Sequence, residues 1–349
     1  MCSLTACFIC AGLTREVVET LPSLAELKLD CRCTDMTVLP SLSPLTGLQK
    51  LELFCCRKLT GLPDLQTLQQ LHTINLSYCV GLTALPDMRN MPALRNLKFL
   101  DCRSLAGLPP LDPAVQTIET EKCSNFTDLS DLTTVTGLQT LRVTECHKLA
   151  GNVFIDTTRL KHLSLIDCRS LSLPNVGMTT ALVTLQLKGF ADITWIPSLQ
   201  RLTHLRLLDV DNCYKLRALP ELTALTQLRH LHVRSCFSLK HLPNLSTLTD
   251  LAVLDCNKDR ALETLPGLGS LQKLQTLDLW FCENLKQLDG LSNVVSLTQL
   301  NVQYMKAEVV SNSSDLRELV LSRGSALRVY GYELPDASRQ AGQKRARSE

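Results

Sequence analysis

Hydrophobic residues along the chain obey two periods that trade places at regular intervals. In segments such as Leu51-Glu52-Leu53 and Leu277-Asp278-Leu279, apolar and polar residues alternate, the pattern of a short strand with one buried face. Between such segments leucine returns every third residue, as in Leu216, Leu219, Leu222, Leu225 and Leu228. A period of three suits a 3₁₀ turn or an extended path better than a long α-helix. Each stretch thus predicts a strand, a bend and a short return.

The whole pattern repeats at an offset of 23 residues. From Cys56 the copy reads Leu59, Leu62, Pro63, Leu65, Leu68, Leu71, Ile74 and Leu76, and the spacing starts again at Cys79 and at Cys213. Anchors fall at Arg32, Cys56, Cys79, Cys102, Cys123, Cys146, Cys168, Phe190, Cys213, Cys236, Cys256, Cys282, Met305 and Gly324, giving about fourteen turns. The steps from Cys236 to Cys256 and from Cys256 to Cys282 are 20 and 26 residues. One copy is therefore expected to have lost a triplet and its neighbour to have gained one, at Lys258 to Arg260. A single unit buries too little to offset the entropy of ordering it, so the units must stack. The implied fold class is an α/β solenoid with a parallel concave sheet and short 3₁₀ or irregular convex segments. Residues 1–12 form a cap or leader, 13–332 the solenoid, and 333–349 a disordered basic tail.

Composition agrees with a repeat rather than a mixed core: there are 73 leucines, whereas aromatic residues make up 4%. Lys and Arg number 36 against 34 Asp and Glu, so nothing global attracts nucleic acid or an anionic membrane. No apolar stretch reaches the length of a membrane span. No Lys or Arg precedes the apolar stretch 2–13, which argues against a secretory signal. Most of the 16 cysteines recur once per repeat, unlike a disulfide framework, and a reducing cytoplasm is expected. Lys344, Arg345 and Arg347 in the tail leave a nucleus open.

These residues match the general form of the leucine-rich repeat, LxxLxLxxN/C with a variable segment. With cysteine at the asparagine position and LxxLP after it, the unit resembles the repeats of plant nucleotide-binding immune receptors and of trypanosomatid leucine-rich repeat proteins. The resemblance spans about residues 13 to 324. It implies a horseshoe fold and an interaction surface, and in one trypanosomatid case an association with adenylate cyclase regulation. No G-x4-G-K-[ST] phosphate loop is present, which a plant receptor would carry ahead of its repeats. The chain is then a stand-alone repeat protein or a fragment of a longer one.

Candidate chemistry is sparse. No serine or cysteine is paired with histidine in a nucleophile signature, so no catalytic residue and no cofactor are assigned. The recurring cysteines read as structural buried thiols. Cys2, Cys7, Cys10, Cys31 and Cys33 cluster near the start, where they either cap the core or supply two halves of a zinc site; the spacing alone assigns no metal. His230 and His232 flank Leu231 on an expected strand and face the concave side. That concave side also carries Asn75, Lys98, Lys188 and Gln303, and the residues singled out as partner-binding are Glu119, Glu121, Arg142, Glu145, Asp167, Asp209, Asp211, His232, Arg234, Asp278 and Trp280. Carboxylates outnumber bases, pointing to a partner with a basic patch, and Trp280 is the expected hot spot. The expected function is a non-catalytic scaffold recognising a protein through the concave sheet, with no small-molecule substrate. The alternatives are an adaptor or regulatory subunit of a cyclase or ubiquitin ligase, or a piece of an immune-receptor-like protein.

Overall fold

The computed structural model describes residues 5–9, 13–30, 36–152, 158–173 and 176–332. Fifteen strands, from Thr5–Ile9 to Arg328–Tyr330, form one sheet in chain order. A two-stranded ribbon, Gly151–Asn152 with Leu171–Ser172, stands apart. The first strand lies within the segment expected to cap or lead, and pairs in parallel with Glu26–Asp30. Cys2, Cys10, Cys31, Cys33 and the tail 333–349 lie outside the described residues.

The strand leucines set the register. Leu208, Leu231, Leu254, Leu277 and Leu300 stand opposite one another on successive strands. Their neighbours two residues on, such as Val210 and Val233, complete the buried pair of each turn. On the return path the leucines spaced by three are joined by backbone bonds of the same span: Leu45 N–H donates to Leu42 O, Leu48 to Leu45, Leu68 to Leu65 and Leu71 to Leu68, all at 2.9–3.0 Å. That is the 3₁₀ geometry the period of three predicts. Short 3₁₀ helices at Leu268–Ser270 and Leu291–Asn293 extend it. The apolar interior is one continuous cluster from Leu13 to Leu327, and almost all of its leucines are fully enclosed.

From Lys50–Phe54 to Gln299–Asn301 the chain leaves each main-sheet strand sharply, through one left-handed residue. Cys55, Tyr78, Asp101, Lys122, Glu145, Asp167, Asn212, Ser235, Lys258, Phe281 and Tyr304 have φ between 53° and 66°, and Gly189 takes the same role at 72°. A side chain in this region costs about 1 kcal/mol or more, and at most of these turns the next residue is a buried cysteine that ties adjacent turns together. Cys102 Sγ donates to Leu76 O (3.5 Å), Cys213 to Leu187 O (3.3 Å) and Cys282 to Cys256 O (3.1 Å). The ladder thiols are buried and free of disulfides.

Two expected anchors are corrected. The register keeps its 23-residue step through Val253–Asp255 and Thr276–Asp278, so no triplet is lost or gained. Lys258 is the left-handed residue of that turn, and the ladder position after it belongs to Asp259. Cys256 is instead the second buried strand residue, aligned with Val233 and Leu279. Gly324 is no anchor either. It ends the helix Ser314–Arg323, which with Ala307–Asn312 replaces the last return path and widens the step between Gln299–Asn301 and Arg328–Tyr330 to 29 residues. Ser313 caps the longer helix by accepting from Leu316 N–H at 3.1 Å, and Leu316 and Leu319 close the end of the core.

Candidate functional site

From Glu26–Asp30 to Gln299–Asn301 each main-sheet strand presents one side chain, between two buried positions, to the opposite face, and register lines these up across the sheet. In the first half the row runs Lys28, Glu52, Asn75, Lys98, Glu119, Arg142. Pairs form where signs alternate: Lys50 with Glu52 at 3.0 Å, Lys98 with Glu119 at 3.3 Å, Lys122 with Glu121 at 3.5 Å and with Glu145 at 4.0 Å. These groups stay in contact with water, and Arg142 is exposed. Glu145 and Asp167 sit one step beyond the strands, at the left-handed exits, and the carbonyl of Asp167 contacts His147 Nδ1 at 2.9 Å.

The second half organises charge differently. Asp209 and Asp211 occupy the expected outward positions, yet each is only 3% exposed, a departure from solvated strand carboxylates. Lys188 reaches Asp209 at 2.8 Å and Asp211 at 3.4 Å. From the other side Arg234 donates through Nε to Asp211 Oδ2 at 2.8 Å and through its backbone N–H to Oδ1 at 2.9 Å. Burial alone would push the Asp211 carboxyl up, but the Arg234 hydrogen bonds and charge, helped by Lys188, bring it below its ordinary value. For Lys188, burial is likewise outweighed by the two carboxylates, and its ammonium is held above the usual range. Arg234 and His232 also approach Asp255 Oδ2, each at 3.6 Å. Asp278 accepts from Trp280 N–H at 2.9 Å, and burial raises its pKa. The rings of His230 and His232 stack at 6.3 Å, and burial holds the His230 pKa down.

Trp280 heads a cluster that spacing from the cysteines did not reveal. Its ring meets Phe281 edge-on at 4.8 Å and Tyr304 at 5.8 Å, while Phe281 and Tyr304 stack at 4.7 Å. Lys258 Nζ lies 5.3 Å above Trp280 and the Arg260 guanidinium 5.1 Å above Phe281, both cation–π distances. Further along the rim, Tyr214 and Phe237 stack at 5.2 Å and both are exposed. Lys258, Phe281 and Tyr304 are the left-handed residues of successive turns, so counting by 23 along that row would have gathered them.

The chain matches no family model and no curated protein. Among solved structures it is similar to a TDR receptor, with 17% identity, a TM-score of 0.50 and coverage of 96% of this chain and 61% of that one. An internalin from Listeria monocytogenes aligns with 17% identity and a TM-score of 0.49 over 92% of this chain and 90% of its own. A leucine-rich repeat protein of Leptospira interrogans aligns with 16% identity and a TM-score of 0.37 over 93% and 100%. The fold is a leucine-rich repeat solenoid. At these identities the likeness concerns the fold, and the particular resemblance to plant and trypanosomatid repeats finds no counterpart among the comparisons.

The leucine-rich repeat core thus leaves one polar face whose side chains are positioned by strand register rather than by loops. No group of three or more His, Cys, Asp or Glu residues among the described residues is arranged to hold a metal ion. No described helix is long and apolar enough to cross a membrane. What the face offers is charge, amide groups and aromatic rings spread over many strands.

Proposed function

We propose that the protein is a non-catalytic scaffold that grips a protein partner across the sheet face. The observation that carries this reading is the row of polar side chains on the sheet face, one per main-sheet strand from Lys28 to Asn301, held on a backbone packed over a continuous leucine core. Side chains fixed in advance lose little entropy on binding, and contacts spread over many turns can follow a partner's contour. In the first half the exposed Arg142 and the partly exposed Glu119, Glu121, Glu145 and Asp167 supply charge. In the second, Asp209 and Asp211 act indirectly by holding Lys188 and Arg234, and His232, Arg234, Asp278 and Trp280 meet the partner. Arginine and tryptophan are the residues that most often anchor such interfaces.

A photo-crosslinking amino acid placed in turn at Arg142, Trp280 and the exposed Trp195, followed by capture from native extract, tests the reading. Arg142 and Trp280 should capture the same protein and Trp195 should not. The double variant Glu119→Lys, Glu145→Lys should weaken that partner about tenfold or more. Capture from Trp195 alone, or from no position, would sink the proposal.

A further inference from the structure

The aromatic cluster ends in a pocket. Tyr304 and Tyr332 line an open cavity of about 390 Å³ together with Val302, Met305 and Val310, and Gln303 and Ser311 add polar lining. Val302, Met305 and Val310 are buried and make an apolar floor, whereas Tyr304 is 63% exposed at the mouth. One face of the Tyr304 ring is taken by Phe281, which is itself backed by Arg260. All five tyrosines of the chain avoid the fully buried core, and three of them, Tyr304, Tyr330 and Tyr332, stand on this last turn. The leucine interior does not need these rings.

We infer that this pocket binds a bulky apolar side chain of a polypeptide segment that carries an acidic residue beside it. Size and the apolar part of the lining argue the first half of that chemistry, since Val302, Met305 and Val310 between two tyrosines reward a Leu, Phe or Trp side chain, with Gln303 and Ser311 left to meet the peptide backbone. The rim fixes the second. Lys306 is exposed between Met305 and Ala307, both of which line the cavity, and Lys258 and Arg260 lie over the neighbouring rings. Among the described residues Arg260 alone of these three is ion-paired, with Glu283 at 3.8 Å. Single-stranded nucleic acid also combines rings with negative charge, but its phosphates would run past Asp278 beside Trp280, and its bases have no use for a buried aliphatic floor. The inference rests on the reading that the protein binds polypeptides, and narrows it to one anchor.

Panning a random twelve-residue peptide display library on the full chain, then titrating enriched peptides and a uridine decamer by fluorescence anisotropy, tests it. Enriched peptides should share Leu, Phe or Trp next to Asp or Glu. Tyr304→Ala should weaken them about tenfold or more with an unchanged urea midpoint, and Lys306→Glu about fivefold. An enriched pool rich in Lys and Arg, equal binding to Tyr304→Ala, no enrichment, or binding of the decamer alone would overturn the inference. Peptides lost with Glu119→Lys but retained by Tyr304→Ala would overturn the pocket and leave the sheet-face reading standing. Loss with Tyr304→Ala while the Arg142 and Trp280 crosslinks capture nothing would do the reverse.

Discussion

From Glu26 to Lys188 the main-sheet strands run to five residues, and from Leu207 onward they run to three, although the same leucine rows pass through both regions. Apart from Asp101, buried against Arg103, the first region keeps its sheet-face charges in contact with water and fills its ladder with thiols as far as Cys168. The second draws its charges under cover, places a carboxyl in the ladder and gathers rings on its rim. Leucine spacing dictates the common backbone, so the difference must come from positions the repeat leaves free. One region is built to present charge, and the other to hold a particular arrangement at some cost to stability.

The largest expected effect separates the two ladders. Burial pushes the thiols of Cys168 and Cys213 up to about 11 and 12, which keeps them neutral at physiological pH. Asp259 in the same row is fully enclosed, and burial pushes its carboxyl up to about 9. Its Oδ1 accepts from Cys236 N–H at 2.6 Å, while Oδ2 has no hydrogen-bond partner among the described residues. A carboxyl raised in the folded state binds its proton more tightly there than in the unfolded chain. Its contribution is therefore complete below about pH 4 and fades as pH rises toward 9, by at most about 1.4 kcal/mol per pH unit. Between pH 6 and 9 the loss approaches about 4 kcal/mol. Asp259→Cys, which restores the thiol ladder, should flatten this slope in urea titrations run at several pH values. An unchanged slope would mean that the carboxyl finds water or a cation when ionised.

Next in size is the covered ion network. Arg234→Ala leaves Asp211, buried on the strand face, with Lys188 as its remaining cation at 3.4 Å. Breaking a fully buried pair costs about 3–5 kcal/mol, and because the Arg234 side chain is 42% exposed the expected loss is at the lower end, about 3 kcal/mol. Replacing Arg234 and Asp211 together, by Leu and Asn, should recover most of it. A single variant as stable as the parent would show that the network serves binding alone.

At the join between the regions, Gly189 is the one ladder-preceding residue from Cys55 to Tyr304 that has no side chain. A Cβ there would meet the Asp167 carboxylate, within 2.0 Å of Oδ1, and would also take on the left-handed penalty that its counterparts already bear. Gly189→Ala should cost about 1–2 kcal/mol, and Gly189→Ala with Asp167→Ala less. Thermal unfolding of the two variants decides whether the clash or the backbone dominates.

The solenoid was legible because a leucine every second or third residue admits few arrangements, and the strand leucines proved a steadier ruler than the cysteines. Measured from Leu231, Leu254, Leu277 and Leu300, the copy holding Cys256 has normal length and Asp259 falls in the ladder. Measured from cysteine, it looks broken. The outward positions of Glu119, Arg142, Asp209 and Trp280 followed from alternation. The burial of Asp209 and Asp211 did not, because it depends on long side chains crossing between strands. Even so, Lys188, Asp211 and Arg234 are spaced by 23 and stack base, acid, base, a pattern visible once turns are written beneath one another. The helical last turn was hidden because Gly324 falls near an expected anchor while ending a helix.

The smallest effect closes the comparison from the other side. Lys98 and Glu119 are a surface pair at 3.3 Å, with side chains 51% and 33% exposed. Water screens such a pair, and holding two long side chains in one geometry offsets much of the attraction, so exposed pairs contribute about 0–1 kcal/mol. Lys98→Ala should lower the unfolding free energy from urea titration by less than about 0.5 kcal/mol, and 0.5 M salt should erase even that. Partner binding is where Lys98 and Glu119 should register, as a slower association rate at low salt with dissociation little changed. A stability loss near that of Arg234→Ala would mean that the first half is also a covered network, and the contrast between presenting charge and enclosing it would fail.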